Sequence, residues 1–480
     1  MSLRKPLHWV PVVAGTLALL GASGCAPREW LLPKVGIDAP GLWDYPADFQ
    51  PPVSNETGQP MPGFGGSGAP NRTPLILIHG NTVSAGFWLP ARKHLLAEGY
   101  QPSEIWAMSY GWNNVRYFDS NDLSVNSVDR IVDSVMQYLS QQSGREVRQV
   151  DIVGHSLGVT LVRQWMKQTN SWHKVRNFIG NSGANHGTWA SRPDSRGQNR
   201  VVTFELNPQS PWIAQLNRGG ETPGPTRYMT LYDGTGWADV FFAPDQKDSP
   251  RLEGATNLAY NREHGTHLDH LELPRVPRTL DAMVEWLGKS NEPLPEATPP
   301  AMVREGNLVR TEDADLYCAE GGDYPTRSVQ PTRELTLAEA VLYTCYAYSQ
   351  RSQLSSPMQR FKRRDRADPG TLTLTATPAG GVFENPQFVT LGSNDPDAYI
   401  VYSTAGVPVD SGSPLYQQPV YLPGPTTLTA MAISPDGRRS EMLTLAYDVS
   451  LEKIEAAHTL QRQFDPGVAE HYAGRRKKGR

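Results

Sequence analysis

Ser156 stands between two glycines, in Gly154-His155-Ser156-Leu157-Gly158. The run before it, Val150-Asp151-Ile152-Val153, is apolar and rich in β-branched residues; the run after it, Val159-Thr160-Leu161-Val162, is compatible with a helix. A strand that turns sharply into a helix lifts the serine hydroxyl to the apex, above the C-terminal edge of a parallel sheet. Gly154 and Gly158 leave room where helix and strand pass each other. The backbone N–H of Leu157 then opens the helix and faces the place where an oxyanion would develop. The plainer alternative is a strand-to-helix turn with a capping serine. The flanking strand and helix patterns favour a nucleophile.

A serine is a weak nucleophile without a base to take its proton and a third group to orient that base. In a strand–turn–helix site of this kind the chain order is serine, then acid, then histidine. Asp233 and Asp239 both follow the strand-like run Thr226–Tyr232 and qualify as the acid. His264, His267 and His270 follow the late strand Ala255–Tyr260, and one of them is the expected base. His186 follows the serine too closely for that order and reads as part of a loop at the site rim. His79, in His79-Gly80-Asn81 after the apolar run Leu75–Ile78, reads as a loop-shaping histidine, with the N–H of Asn81 as the second oxyanion donor. The histidines and carboxylates show no tight metal-ligand spacing, so neither metal nor cofactor is expected.

The elements that must position these residues form an α/β pattern. Leu75–Ile78 is a continuous apolar run, expected for a parallel strand buried on both faces, and further strands are expected at Glu104–Tyr110, Val150–Val153, Val175–Gly180, Thr226–Tyr232 and Ala255–Tyr260. Helices are expected over Phe87–Glu98, Ser127–Ser140, from the elbow to about Gln168, over Asn207–Asn217 as a possible cover, and over Arg278–Leu287. Trp112, Tyr117 and Phe118 lie in the loop after the second strand and are candidates to line an acyl pocket or to cover the sheet edge.

The ordered set His79-Gly80, Gly154-His155-Ser156-Leu157-Gly158, Ala238-Asp239-Val240, Gly254-Ala255-Thr256-Asn257 and Gly265-Thr266-His267-Leu268 resembles the bacterial class 2 lipases of the α/β-hydrolase superfamily. The resemblance covers about residues 73–288. It implies an α/β-hydrolase fold, a mostly parallel sheet flanked by helices. It also implies hydrolysis of carboxylic esters, acylglycerols in particular, with Ser156 as nucleophile, Asp239 as acid and His267 as base. Asp233 and His270 stay open as competitors, and residues are inserted between Asp239 and Leu252. Extracellular polyhydroxyalkanoate depolymerases share the fold and a similar site order, so a polyester is a competing substrate. A catalytically silent lipoprotein that binds envelope partners is the reading from another class.

At 480 residues the chain is too long for one small core. A net charge of −4 gives no global signal for nucleic acid. Arg4 and Lys5, the apolar run Trp9–Leu20, and Gly21-Ala22-Ser23-Gly24-Cys25 read as an export signal over residues 1–25 and resemble a bacterial lipobox, with Cys25 lipidated. The expected destination is the outer membrane through that anchor, or secretion if the signal is cleaved in the ordinary way. Residues 26–72, rich in proline, glycine and tryptophan, read as an extended tether, flexible near Gly63–Gly68. The catalytic domain then occupies 73–288. In an exported chain the remaining cysteines, Cys318 and Cys345, are expected to pair. Residues 289–369 read as a linker and a small cysteine-containing region, with one helix over Thr336–Tyr348. From Gly370 short alternating stretches separated by Gly, Pro and Asp turns indicate an immunoglobulin-like β-sandwich over 370–450. Its Tyr399–Thr404, Ser413–Tyr416 and Leu428–Ala432 segments resemble the C-terminal module of chitobiases, which implies an accessory contact with glycan or polymer, or a spacer. Residues 451–480 read as a helix and a basic tail.

Overall fold

The computed structural model describes residues 42–81, 83–111, 121–191, 201–260, 268–288, 297–367 and 370–450. The expected signal segment with Cys25, the aromatic loop at 112–118, His264, His267 and the basic tail lie outside the described residues.

The chain is organised on an eight-stranded sheet of order β1-β2-β4-β3-β5-β6-β7-β8. Its strands are β1 (Trp43–Asp44), β2 (Gly63–Phe64), β3 (Leu75–Ile78), β4 (Ile105–Met108), β5 (Val150–His155), β6 (Val175–Asn181), β7 (Arg227–Asp233) and β8 (Thr256–Tyr260). From β4 to β8 every neighbouring pair is parallel. The helices are α1 (Leu89–Ala97), α2 (Asn121–Ser143), α3 (Leu157–Gln168), the short α4 (Val201–Glu205) and α5 (Pro211–Asn217), and α6 (Pro277–Leu287). Alternate residues of each strand feed different cores. Ile76, Ile78 and Ile152 pack with Val128, Ile131 and Val132 of α2 and Leu161, Val162 and Trp165 of α3. Leu75, Leu77 and Val153 pack with Leu95 of α1 and Leu280, Met283 and Val284 of α6. Helices on both faces explain why β3 and β4 are apolar throughout and not alternating.

Two expectations are corrected. The glycine run after residue 62 is not loose where it begins. Gly63 pairs with Met108 as β2 joins the sheet edge antiparallel to β4. A Cβ on Gly65 would stand 2.1 Å from the Trp106 ring. The glycines are there for close approach. The helix expected over Thr336–Tyr348 is absent. In its place Glu334–Thr336 is β12 and Leu342–Tyr348 is β13.

Those two strands belong to a small β-rich body with β9 (Val303–Glu305), β10 (Leu308–Arg310), β11 (Asp315–Glu320) and β14 (Gln359–Lys362), arranged as sheets β12-β10-β9 and β11-β13-β14. The run Leu342-Tyr343-Thr344-Cys345-Tyr346-Ala347-Tyr348 is dominated by residues that fit a pleated surface, and pairing with β11 and β14 makes it a strand. Cys318 and Cys345 sit directly opposite each other on β11 and β13 and are joined as a disulfide. Replacing both with serine should cost about 3 to 4 kcal/mol, the loop-closure value for a 27-residue separation. Denaturant unfolding of oxidised, reduced and substituted protein measures it; equal stability of all three would contradict the prediction. Tyr324, Tyr346 and Met358 of this body share a core with Trp172 and Tyr228 of the α/β domain.

The last body is the expected sandwich. Its strands are β15 (Leu374–Thr377), β16 (Gly381–Phe383), β17 (Gln387–Ser393), β18 (Tyr399–Ser403), β19 (Val420–Leu422), β20 (Thr426–Ile433) and β21 (Leu443–Val449). They form sheets β15-β17-β19 and β16-β21-β20-β18 around a core that includes Val389, Tyr402, Leu422, Leu428 and Tyr447.

Candidate active site

The elbow is formed as its residue types require. Ser156 lies between β5 and α3 with φ +54° and ψ −122°. That backbone is costly for a residue with a Cβ and is characteristic of functional turns. The Ser156 N–H donates to Asn181 O at 2.9 Å, which anchors the turn to the end of β6. A Cβ on Gly158 would stand 2.6 Å from the carbonyl oxygens of Ile78 and His79, and one on Gly154 would stand 2.9 Å from Gly158 O. Both glycines are therefore needed for the end of β3, the elbow and the first turn of α3 to meet.

Downstream, the structure separates the two acid candidates. Asp233 is spent on its own loop: its carboxylate accepts from Thr235 N, Thr235 Oγ1, Trp237 N, Ala238 N and Asp239 N, between 2.7 and 3.0 Å. These bonds fold the turn that presents Asp239. Asp239 is buried and accepts from Phe241 N on Oδ1 at 3.1 Å, while Oδ2 lies 2.9 Å from His270 Nδ1. His270 is also buried, with Phe241 at 4.4 Å and His155 at 4.8 Å between ring centroids. The imidazole brought to the acid is thus His270. His267, the base implied by the family resemblance, lies outside the described residues.

His155, the middle residue of the motif before the serine, has a role that the sequence reading did not assign. Its Nε2 lies 2.9 Å from the backbone carbonyl of His270. Complete burial, then the nearby His270, holds its pKa well below the usual histidine range. The neutral ring therefore donates Nε2–H and ties the loop that carries His270 to the residue beside Ser156. Phe87 stacks on the other side of the ring at 4.7 Å. A histidine immediately before a candidate nucleophile was the available signal. The Ser156 hydroxyl itself makes no hydrogen bond among the described residues. Such bonds are often long in a free enzyme and tighten with substrate.

The loop after β3 closes the other side. His79 is fully buried; its Nδ1 lies 2.8 Å from Gly80 O, and its ring stacks on Tyr110 at 4.2 Å. Tyr110 OH donates to His79 O at 2.7 Å. Burial lowers the His79 pKa to about 4, so the ring is neutral at ordinary pH and shapes the loop. A Cβ on Gly80 would stand 2.8 Å from Ser156 Cβ and 3.0 Å from His155 O. Gly80 is therefore packed against Ser156, and Asn81 follows it as the second oxyanion candidate beside Leu157. Gly80→Ala should lower kcat by about 10²-fold or more, because a small displacement of reacting groups costs that much. Unchanged kcat in a folded variant would show that the loop plays no part.

An apolar cover adjoins the elbow. Leu157 packs with Ala184, Val202 and Leu206, with Trp212 and Ile213 of α5, and with Phe242. Tyr421 of the sandwich joins the same cluster. Its backbone is clasped by Gln215 of α5, whose Oε1 accepts from Tyr421 N at 2.9 Å while Nε2 donates to Tyr421 O at 3.3 Å. The C-terminal module is therefore packed against the cover and is not merely tethered to it.

Other titratable groups have different partners. His186 Nε2 lies 2.6 Å from Glu221 Oε1 and its Nδ1 lies 3.1 Å from Ser249 O. Among the described residues His94, Glu98 and Asp281 gather three ligand-type atoms within 4.8 Å of one another. That group joins α1 to α6 and includes none of the residues at the elbow. No described helix is long and apolar enough to cross a membrane.

Residues 72–234 match the model of the class 2 lipase family, and residues 378–444 match that of the chitobiase/beta-hexosaminidase C-terminal domain. The first match takes in His79-Gly80-Asn81 and the elbow and stops short of Asp239 and His270. A comparison with curated proteins finds no match. Among solved structures, lipase B of Aspergillus fumigatus is 15% identical with a TM-score of 0.36, over 52% of this chain and 56% of that one. The mature Bacillus licheniformis lipase BlEst2 is 17% identical with a TM-score of 0.35, over 46% and 94%. The Legionella pneumophila phospholipase PlaB is 13% identical with a TM-score of 0.30, over 62% and 96%. The chain thus combines an α/β-hydrolase domain similar to class 2 lipases with a C-terminal domain similar to that of chitobiases.

Proposed function

We propose that this chain is a serine carboxylic-ester hydrolase, of the lipase and esterase kind, working through an acyl-enzyme. Ser156 attacks the ester carbonyl. His270 takes its proton on Nε2 and returns it to the leaving alcohol. Asp239 accepts Nδ1–H, which fixes the tautomer and stabilises the imidazolium. The N–H groups of Leu157 and Asn81 hold the oxyanion, each worth about 3 kcal/mol of barrier where such a donor has been removed. The observation that carries this reading is the buried 2.9 Å contact between Asp239 and His270, on a loop pinned by His155 to the elbow. A water molecule then attacks the acyl-enzyme by the same route.

The apolar surroundings of Leu157 suit an acyl chain more than a sugar. Hydrolysis of p-nitrophenyl esters of graded chain length tests the reading. Turnover at some length, lost on inhibition by an organophosphonate, supports it; no turnover at any length by folded protein overturns it. Clearing of polyester granules would move the substrate assignment to a polymer. We also propose that the chain is exported and acylated on Cys25. The support is the basic, apolar and small-residue order before Cys25, and a disulfide at Cys318–Cys345 that suits an oxidising compartment. Release of Cys25→Ser protein from membranes that retain the natural chain tests it.

A further inference from the structure

A polar cavity of about 280 Å³ lies where the catalytic sheet meets the small disulfide-bonded body. Arg176 and Arg227 enter it from the starts of β6 and β7. In a parallel sheet those are the ends opposite Ser156. Arg327 comes from the other body, positioned by a 2.9 Å bond from its Nη1 to Pro225 O and by the Tyr348 ring beneath its guanidinium. Arg176 donates to Thr73 Oγ1 at 3.1 Å, and the Arg227 guanidinium lies over Trp286 at 4.6 Å. Among the described residues none of the three arginines has a carboxylate within 4.0 Å.

Two carboxylates border the group. Asp151 is buried and bonded to Asn177 Nδ2 at 2.7 Å. Burial raises its pKa to about 7, against the pull of Arg176, so near neutrality it offsets the arginines only in part. Asp315 accepts from Gln350 Nε2 at 3.0 Å. Burial, then repulsion from Arg176 and Arg327, holds the Arg227 pKa below its ordinary value. Arg227 and Arg327 are exposed at the mouth and Arg176 is half-buried, so three guanidinium groups face one solvent-open volume with only partial compensation by carboxylates.

We propose that this cavity binds a phosphate group, either free or on a small phosphomonoester or a lipid headgroup. Three guanidinium forks match the several oxygens and near-double charge of a phosphate better than the two oxygens of a carboxylate. The volume exceeds one phosphate, and Gln149 and Gln353, which line the remainder, offer amides to further polar atoms. The site is separate from the ester chemistry and does not depend on it.

The test uses the full chain at constant ionic strength, with three probes: inorganic phosphate, glycerol 3-phosphate, and phosphatidylcholine vesicles with or without phosphatidic acid. Calorimetry and cosedimentation should show saturable binding to at least one of them. Arg227→Gln and Gln149→Glu should each weaken it about tenfold or more, with the melting temperature in the absence of phosphate and the ester turnover unchanged. Binding of the soluble probes identifies a free phosphate ligand, and binding of phosphatidic acid vesicles alone identifies a headgroup. The proposal is overturned by no saturable binding to any probe, by equal displacement with chloride, or by binding that survives both substitutions in folded protein.

Discussion

Replacing Ser156 with alanine should reduce ester turnover by about 10⁴- to 10⁶-fold, the range seen when a nucleophile of this type is removed. The folded state should be nearly unaffected. The cost of φ +54° at the elbow comes from the Cβ, which alanine keeps, and the hydroxyl makes no hydrogen bond among the described residues. The turn is held instead by the Ser156 N–H to Asn181 O and by Gly154 and Gly158. Steady-state kinetics with melting curves of both proteins separate the two effects. A variant that keeps more than a tenth of the activity would remove Ser156 from the mechanism.

The second large effect divides the two aspartates. Asp239→Asn should lower kcat by about 10⁴-fold with little change in KM, because an amide facing Nδ1 no longer enforces the productive tautomer or stabilises the imidazolium. Asp233→Asn should act on the fold. It removes the charge from a buried carboxylate that gathers backbone N–H groups of three residues and both donors of Thr235, so a stability loss of about 2 kcal/mol or more is expected. Its effect on kcat should be smaller and should track the displacement of the Asp239 loop. The opposite pattern, a large kcat loss for Asp233→Asn with unchanged melting and a small one for Asp239→Asn, would exchange their roles.

Much of this site was legible in the sequence because its parts are local. The elbow is written in consecutive residues, since strand propensity, two obligatory glycines and a helix start all fall within Val150–Val162. The parallel sheet was legible for the same reason: β3, covered on both faces, is a continuous apolar run. Asp233 and Asp239 could not be separated so easily. Asp233 ends β7 and Asp239 lies six residues on, and only the folded turn shows one carboxylate collecting N–H groups while the other meets an imidazole. The choice between His267 and His270 depends on a loop path that no local pattern encodes. The contact of His155 with His270 O joins residues 115 apart, beyond any periodicity. The region around residue 340 misled because its alternation of aromatic and small residues is broken up by Leu and Ala, while its strand identity comes from pairing with β11 and β14. The glycines after residue 62 read as slack because close packing against Trp106 is a long-range fact.

The most direct measurement is active-site labelling with a fluorophosphonate, followed by peptide mapping of the full chain. One adduct per molecule, on the peptide bearing Ser156, absent in Ser156→Ala and strongly slowed in His270→Gln, is the predicted result. Labelling at another residue, or none by folded protein that hydrolyses esters, would contradict the account.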